Sequence, residues 1–131
     1  MNLYEQQKQL ETIGTDGVWV QYDDKVKFLI GSMNAPKYQK VFDAAQKLLR
    51  REYKGRKIPD TVALKTMIQC VSEGALFGWE NVTDRAGQPL AFSTDNAVTV
   101  LTDLKRVRDF IAAFASDDDN FMSAEEAQTK N

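Results

Sequence analysis

Histidine is absent from this 131-residue sequence, and that absence narrows the chemistry open to it. Without imidazole there is no Ser/His or Cys/His nucleophilic pair, and the commonest general base and zinc ligand are missing. The one cysteine, Cys70, lies in an apolar helical pattern with Met67, Ile68 and Val71, which reads as a buried, inert thiol. A lone cysteine staples nothing, which suits a reducing, cytosolic setting. The seven glycines are scattered and build neither a Walker-type nor a dinucleotide-type loop. Carboxylates are plentiful, yet runs such as Asp117, Asp118 and Asp119 read as solvated turns. Only the fold can bring two of them together as an acid/base pair, and no spacing points to one. The expectation is a non-enzyme that uses no cofactor and no metal.

Charge offers a different chemistry, that of binding. Eight basic residues fall between Lys37 and Lys57: Lys37, Lys40, Lys47, Arg50, Arg51, Lys54, Arg56 and Lys57. Only Asp43 and Glu52 oppose them, so this segment carries +6 and the rest of the chain −8, against −2 overall. The segment reads either as the solvated face of an amphipathic helix or as a basic face for an acidic partner. Nucleic acid is the disfavoured partner, because domains that bind it are usually basic overall and this one has a pI near 5.2. The acidic remainder leaves head-to-tail self-association open. Lys47, Arg50, Arg51 and Lys54 are the candidate contacts.

A second binding candidate is aromatic. Val18-Trp19-Val20-Gln21-Tyr22 and Val26 to Ile30 are rich in β-formers and flank Asp23-Asp24, which predicts a hairpin. Trp19, Tyr22 and Phe28 on it read either as core or as an exposed anchor for a partner. The hairpin's free edge can accept a strand. A lone hairpin is marginal, so it must pack on the helices or pair with another chain.

The elements that carry these candidates follow from hydrophobic period. Residues 1–16 predict an N-terminal arm or short helix, 17–122 one globular domain, and 123–131 a polar, flexible tail. Tyr38, Val41, Phe42, Ala45, Leu48, Leu49 and Tyr53 recur at steps of three and four, with Pro36 near the start and Gly55 at the end. A second helix follows Pro59, capped by Asp60 or Thr61, with a stripe of Leu64, Met67, Ile68, Val71, Ala75 and Leu76. A third begins at Ser93 or Thr94 and runs through Phe114, with a break at Thr102-Asp103 where Asp103 can cap a new helix. Phe121 and Met122 are expected to dock back on the core. The fold class is α+β, predominantly helical: a small N-terminal hairpin followed by three or four helices. No apolar run approaches the roughly 18 residues of a membrane span.

Between the second and third helices, Gly78 to Ala91 reads as an ordered, non-helical connector. Asp84 to Gly87 is a turn, Pro89 fixes the exit, and Trp79 and Phe92 pin the ends. Trp79, Asn81, Val82, Asp84, Gly87, Pro89, Phe92 and Ser93 together form a pattern that resembles the tail assembly chaperones of long-tailed, lambda-like siphophages. Asn96, Ala97, Leu101 and Asp103, then Arg108 to Ile111, then Asn120-Phe121, and upstream Asn34, Pro36 and Tyr38, extend the likeness from about Val18 to Phe121. Read from the residues themselves, Trp79, Asp84, Gly87, Pro89, Phe92 and Ser93 are structural members of the connector and show no chemistry.

The resemblance implies a protein that binds the tape measure protein, and also the tail tube protein in some settings, and keeps the former soluble while the tube assembles. It implies work in the host cytoplasm, absence from the mature virion, and in many members a longer form made by ribosomal frameshifting. The polar ending Thr129-Lys130-Asn131 is compatible with a slippery A-rich run in the gene. Two other classes stay open: a structural head–tail or tail component of the virion, and a small regulator that binds nucleic acid through the basic helix.

Overall fold

The computed structural model describes residues 2–122. Among them it contains five α-helices, a three-stranded antiparallel sheet and a closing 3-10 turn, an α+β fold that is mostly helical. The tail expected at 123–131 lies outside the described residues.

The segment expected to be an arm or short helix is a 14-residue helix, α1 (Leu3–Asp16), started by Asn2, whose side chain accepts from the Glu5 amide. It sends Leu10 into the core. Strands β1 (Val18–Gln21) and β2 (Lys27–Ile30) form the expected hairpin, with Val20 opposite Phe28 and Trp19 opposite Leu29. In its turn, the Asp23 carboxylate accepts from the amides of Lys25 and Val26 at 2.9 and 2.7 Å.

Helix α2 (Pro36–Tyr53) starts on proline and ends through Lys54 and Gly55, both at positive φ. Helix α3 (Asp60–Gly74) begins one residue after Pro59, which occupies the cap position with no side-chain bond. Neither Asp60 nor Thr61 caps it, since Asp60 is already its first helical residue.

The main departure from expectation comes next. Ala75 and Leu76 do not continue the helix. Leu76 opens strand β3 (Leu76–Glu80), which runs antiparallel to β2, with Trp79 opposite Phe28 and Ile30 opposite Leu76. The short apolar run Ala75-Leu76-Phe77 suits either period, and the tertiary pairing decides it. The hairpin therefore finds its third strand inside its own chain.

Helix α4 (Thr94–Asp103) is capped by Ser93, whose Oγ accepts from the Asn96 amide. The break before α5 (Lys105–Ser116) falls at Leu104, and no side chain caps the new helix. Asp103 instead pairs with Arg85 at 3.1 Å. After α5, a 3-10 turn, Asp118–Phe121, buries Phe121, whose ring meets Phe114 edge-on.

The core lies between the inner face of the sheet and the helices. Phe28, Ile30 and Leu76 meet Ile68 and Val71 of α3, Ala97 and Leu101 of α4 and Ile111 of α5. Gly31 joins β2 to α2 where the chain passes closest. A Cβ there would stand 2.3 Å from the Phe77 ring and 2.6 Å from the Gly14 carbonyl oxygen, so only glycine fits.

Candidate protein-binding surfaces

Strand alternation divides the three hairpin aromatics. Phe28 points inward, 1% exposed, with Trp79 across the sheet, so it is core and offers nothing to a partner. Tyr22, just past β1, is half-buried, its ring edge-on to Phe28 at 5.8 Å and to Phe110 at 5.0 Å. Only Trp19 faces outward, 49% exposed. It shares the outer face with Leu29 and lies against Gly78. Phe77 joins this patch, and the Lys37 ammonium sits 4.2 Å above its ring. Leu29 and Phe77 were not among the candidates in the sequence, and Lys37 was counted there only with the basic segment. Period-2 alternation across Trp19 and Leu29 marks the first, whereas Phe77 needed β3 to be recognised.

The basic residues sit as expected on α2. Lys47, Arg50, Arg51 and Lys54 are all exposed. Among the described residues, the ion pairs are Arg85–Asp103 and Lys105–Asp109, so no cation of α2 is ion-paired with a carboxylate there. Part of the charge serves the helix itself. Arg50 and Arg51 lie in its last turn, favourable to the helix dipole. Arg56 donates back to the carbonyls of Tyr53 and Glu52 at 3.1 and 3.2 Å. Lys40 and Lys47, farther from the helix end, have no such role.

The same helix shows apolar surface. Of the stripe expected in the core, Leu49 and Tyr38 are buried, but Phe42 is 38% and Leu48 61% exposed. Leu48 and Leu49 are successive residues about 100° apart on the helix, so they cannot both face one neighbour. Beside Leu48 runs a groove of about 690 Å³ between α2 and α3, lined by Val41, Ala44, Ala45, Leu48 and Val62, with Lys40, Lys65 and Glu52 on its rim.

The connector is a small hairpin of its own. Thr83 bridges Pro89, and the Leu90 amide donates to the Val82 carbonyl. Asp84 organises the turn: its carboxylate accepts from the amides of Ala86 and Gln88 at 2.9 and 3.0 Å, and Gly87 takes a φ of 80°. Trp79 donates its indole N–H to the Leu90 carbonyl at 2.8 Å and meets the Phe92 ring edge-on at 5.0 Å. Asn96 donates to the Ala91 carbonyl, tying the exit to the Ser93 cap. These contacts are internal, and they account for Trp79, Asp84, Phe92 and Ser93 as structure. An adjoining cleft of about 730 Å³, lined by Arg85, Asn96, Thr99, Asp103 and Leu104, is open to solvent and crossed by the Arg85–Asp103 pair.

Cys70 is 1% exposed, and burial pushes its thiol pKa up, which disfavours the reactive thiolate. No three histidine, cysteine or carboxylate residues gather as a metal site among the described residues. No helix among them is long and apolar enough to cross a membrane.

No curated protein and no solved structure matches the chain. A family model does: residues 33–131 match that of the YdaY prophage protein. The match takes in α2, α3, β3, the connector, α4 and α5, and leaves α1, β1 and β2 outside. On that match over most of its length, this phage-derived chain belongs to the YdaY prophage protein family.

Proposed function

We propose that this protein is a non-catalytic binding protein of phage tail assembly, a chaperone that holds the tape measure protein soluble in the host cytoplasm and is left out of the finished particle. The observation that carries this reading is the surface of α2. Lys47, Arg50, Arg51 and Lys54 stand exposed with no carboxylate ion-paired to them among the described residues, and Leu48 stands exposed among them. Unpaired charge steers an oppositely charged partner, and an exposed leucine gives it apolar area to bury. Phage origin is consistent with this role, and the connector pattern supplies the resemblance to tail assembly chaperones.

The test is co-expression with the tape measure gene of the same genome. The tape measure protein is expected to stay in the soluble fraction and to co-purify with this chain. Replacing Arg50, Arg51 and Lys54 by Glu should weaken retention in a pull-down while the domain stays folded, because all three are exposed. A tape measure protein equally insoluble with and without the chain refutes the chaperone role. Detection of the chain in purified virions assigns it to the particle instead.

A further inference from the structure

We infer that the groove between α2 and α3 is a seat for a single amphipathic helix that carries carboxylates along one flank. The inference deepens the proposed function, since it names the kind of tape measure segment that would be held, and it rests on that reading for the partner's name but not for its chemistry.

The groove follows from how the two helices pack. They are joined by the short link 54–59, so they run antiparallel. Tyr38 and Leu49 of α2, with Ile68 and Cys70 of α3, fill the side toward the core. On the solvent side Val41, Ala44, Ala45 and Leu48 face Val62 and Thr66. Two alanines leave the floor low, and Leu48, 61% exposed, stands as a wall. From Lys40 to Glu52 the groove follows about 18 Å of helix at roughly 1.5 Å per residue, which matches a partner helix of three turns or slightly more. An apolar trough between two helices takes a third helix through side chains at i, i+3, i+4 and i+7.

Charge selects the occupant. Lys40, Lys47 and Arg51 recur at steps of seven and four, so they form one stripe along α2. Lys40 lines the trough, and helical period sets Lys47 and Arg51 just outside it on the same side, Arg51 three residues from Leu48. No carboxylate is ion-paired with that stripe among the described residues. The opposite rim, on α3, is Lys65, Gln69 and Glu73, with Gln69 donating to Glu73. Glu52 and Glu73 lie near the C-terminal ends of antiparallel helices, so they stand at opposite ends of the groove. A docked helix therefore meets positive charge along its α2 flank and mixed charge on the other. Carboxylates on the first flank satisfy this geometry, and lysines there would face like charge.

The test uses the full chain and two labelled synthetic peptides. Each is an amphipathic helix with leucines at i, i+3, i+4 and i+7. One carries glutamates on a flank, and the other carries lysines in their place. Fluorescence anisotropy should show the glutamate peptide bound and the lysine peptide bound about tenfold more weakly or not at all, with the preference shrinking as salt is added. Leu48→Asp should weaken the glutamate peptide by about tenfold or more, as loss of a central apolar anchor does. Arg51→Glu should weaken the glutamate peptide and strengthen the lysine one. Arg106→Ala, which removes an exposed cation on α5, should change neither. Should Leu48→Asp lose helicity, Ala44→Trp blocks the same trough from an exposed position and must give the same loss.

Equal binding of the two peptides overturns the inference, as does binding that neither Leu48→Asp nor Ala44→Trp disturbs. Binding to neither peptide overturns it too. The tape measure pull-down separates the two ideas. Retention by the wild-type chain and by L48D alike removes the groove and keeps the chaperone. Selective binding of the glutamate peptide without retention of the tape measure protein keeps the groove and removes the chaperone.

Discussion

At the scale of single residues, Asp23 shows how one side chain sets local shape and a pH response. Its carboxylate accepts from the amides of Val26 and Lys25, and these bonds hold its pKa below the ordinary carboxylate range. The folded chain thus binds the proton less readily than the unfolded one. The resulting contribution to stability is complete above the ordinary carboxylate pKa and is lost as pH falls through the lowered folded value. The Lys25 and Val26 amide resonances should titrate together, with an apparent pKa below that of an unperturbed aspartate. Asp23→Asn should abolish that transition, and a transition that survives would locate the proton elsewhere. Ser72 makes the opposite point. Its hydroxyl is buried and has no hydrogen-bond partner among the described residues. Ser72→Ala should therefore be neutral or stabilising by up to about 1 kcal/mol in a thermal melt, because it removes an unsatisfied group rather than a bond.

At the scale of elements, the sheet decides what the hairpin aromatics can do. Phe28 faces the core and Trp19 faces solvent, so their truncations should separate cleanly. Phe28→Ala should cost about 3–5 kcal/mol of stability, the usual range for a buried aromatic. Trp19→Ala should cost far less, and urea unfolding of both variants measures the contrast. Their separation was not legible in the sequence: residues 19 and 28 each lie four steps from the Asp-Asp pair, and it is the register, Trp19 opposite Leu29 and Val20 opposite Phe28, that puts them on different faces. The hairpin itself, α2 with its proline start, the capped α4 and the connector turn were legible, because each is specified by neighbours a few residues apart. Strand β3 was not. Its partner lies 46 residues earlier, with Leu76 opposite Ile30, and no local signal encodes that pairing. The first helix was half legible, because its anchors are few and its value lies in docking Leu10. For the candidate surfaces, the basic residues were found by counting charge. Exposure of Leu48 was not, because helical period marks which residues are apolar and not how many neighbours the fold provides.

At the scale of the whole molecule, charge and apolar surface are segregated. The positive segment is α2 and the link that follows it, whose cations are ion-paired with no carboxylate among the described residues, and the negative remainder is spread over the rest of the chain. The core is continuous from Leu10 to Phe121, so α1 and the closing turn belong to one body with the sheet. Cys70 is placed to report on that unity. It is buried, and its thiol pKa is raised by burial. A thiol-reactive dye should label it only as fast as the chain opens, and labelling should follow the loss of helical signal through a denaturant titration. Labelling well below the unfolding midpoint would mean that α2 and α3 part locally before the rest of the fold.

The pairing of Ile30 with Leu76 has a consequence for how this fold tolerates change. The end of β2 and the start of β3 are neighbours in the sheet, and the Gly31 amide donates to the Ala75 carbonyl at 2.7 Å. Everything between them, the α2–α3 pair, is an excursion that leaves and returns at one point. Its far tip, around Lys54-Gly55-Arg56, is exposed and distant in sequence from that root. The residues that pack on the sheet, Ile68 and Val71, lie near the root, so the far tip can lengthen or shorten by a helical turn without disturbing the sheet at its base. Insertions around Gly55 are thus the changes this fold absorbs most readily.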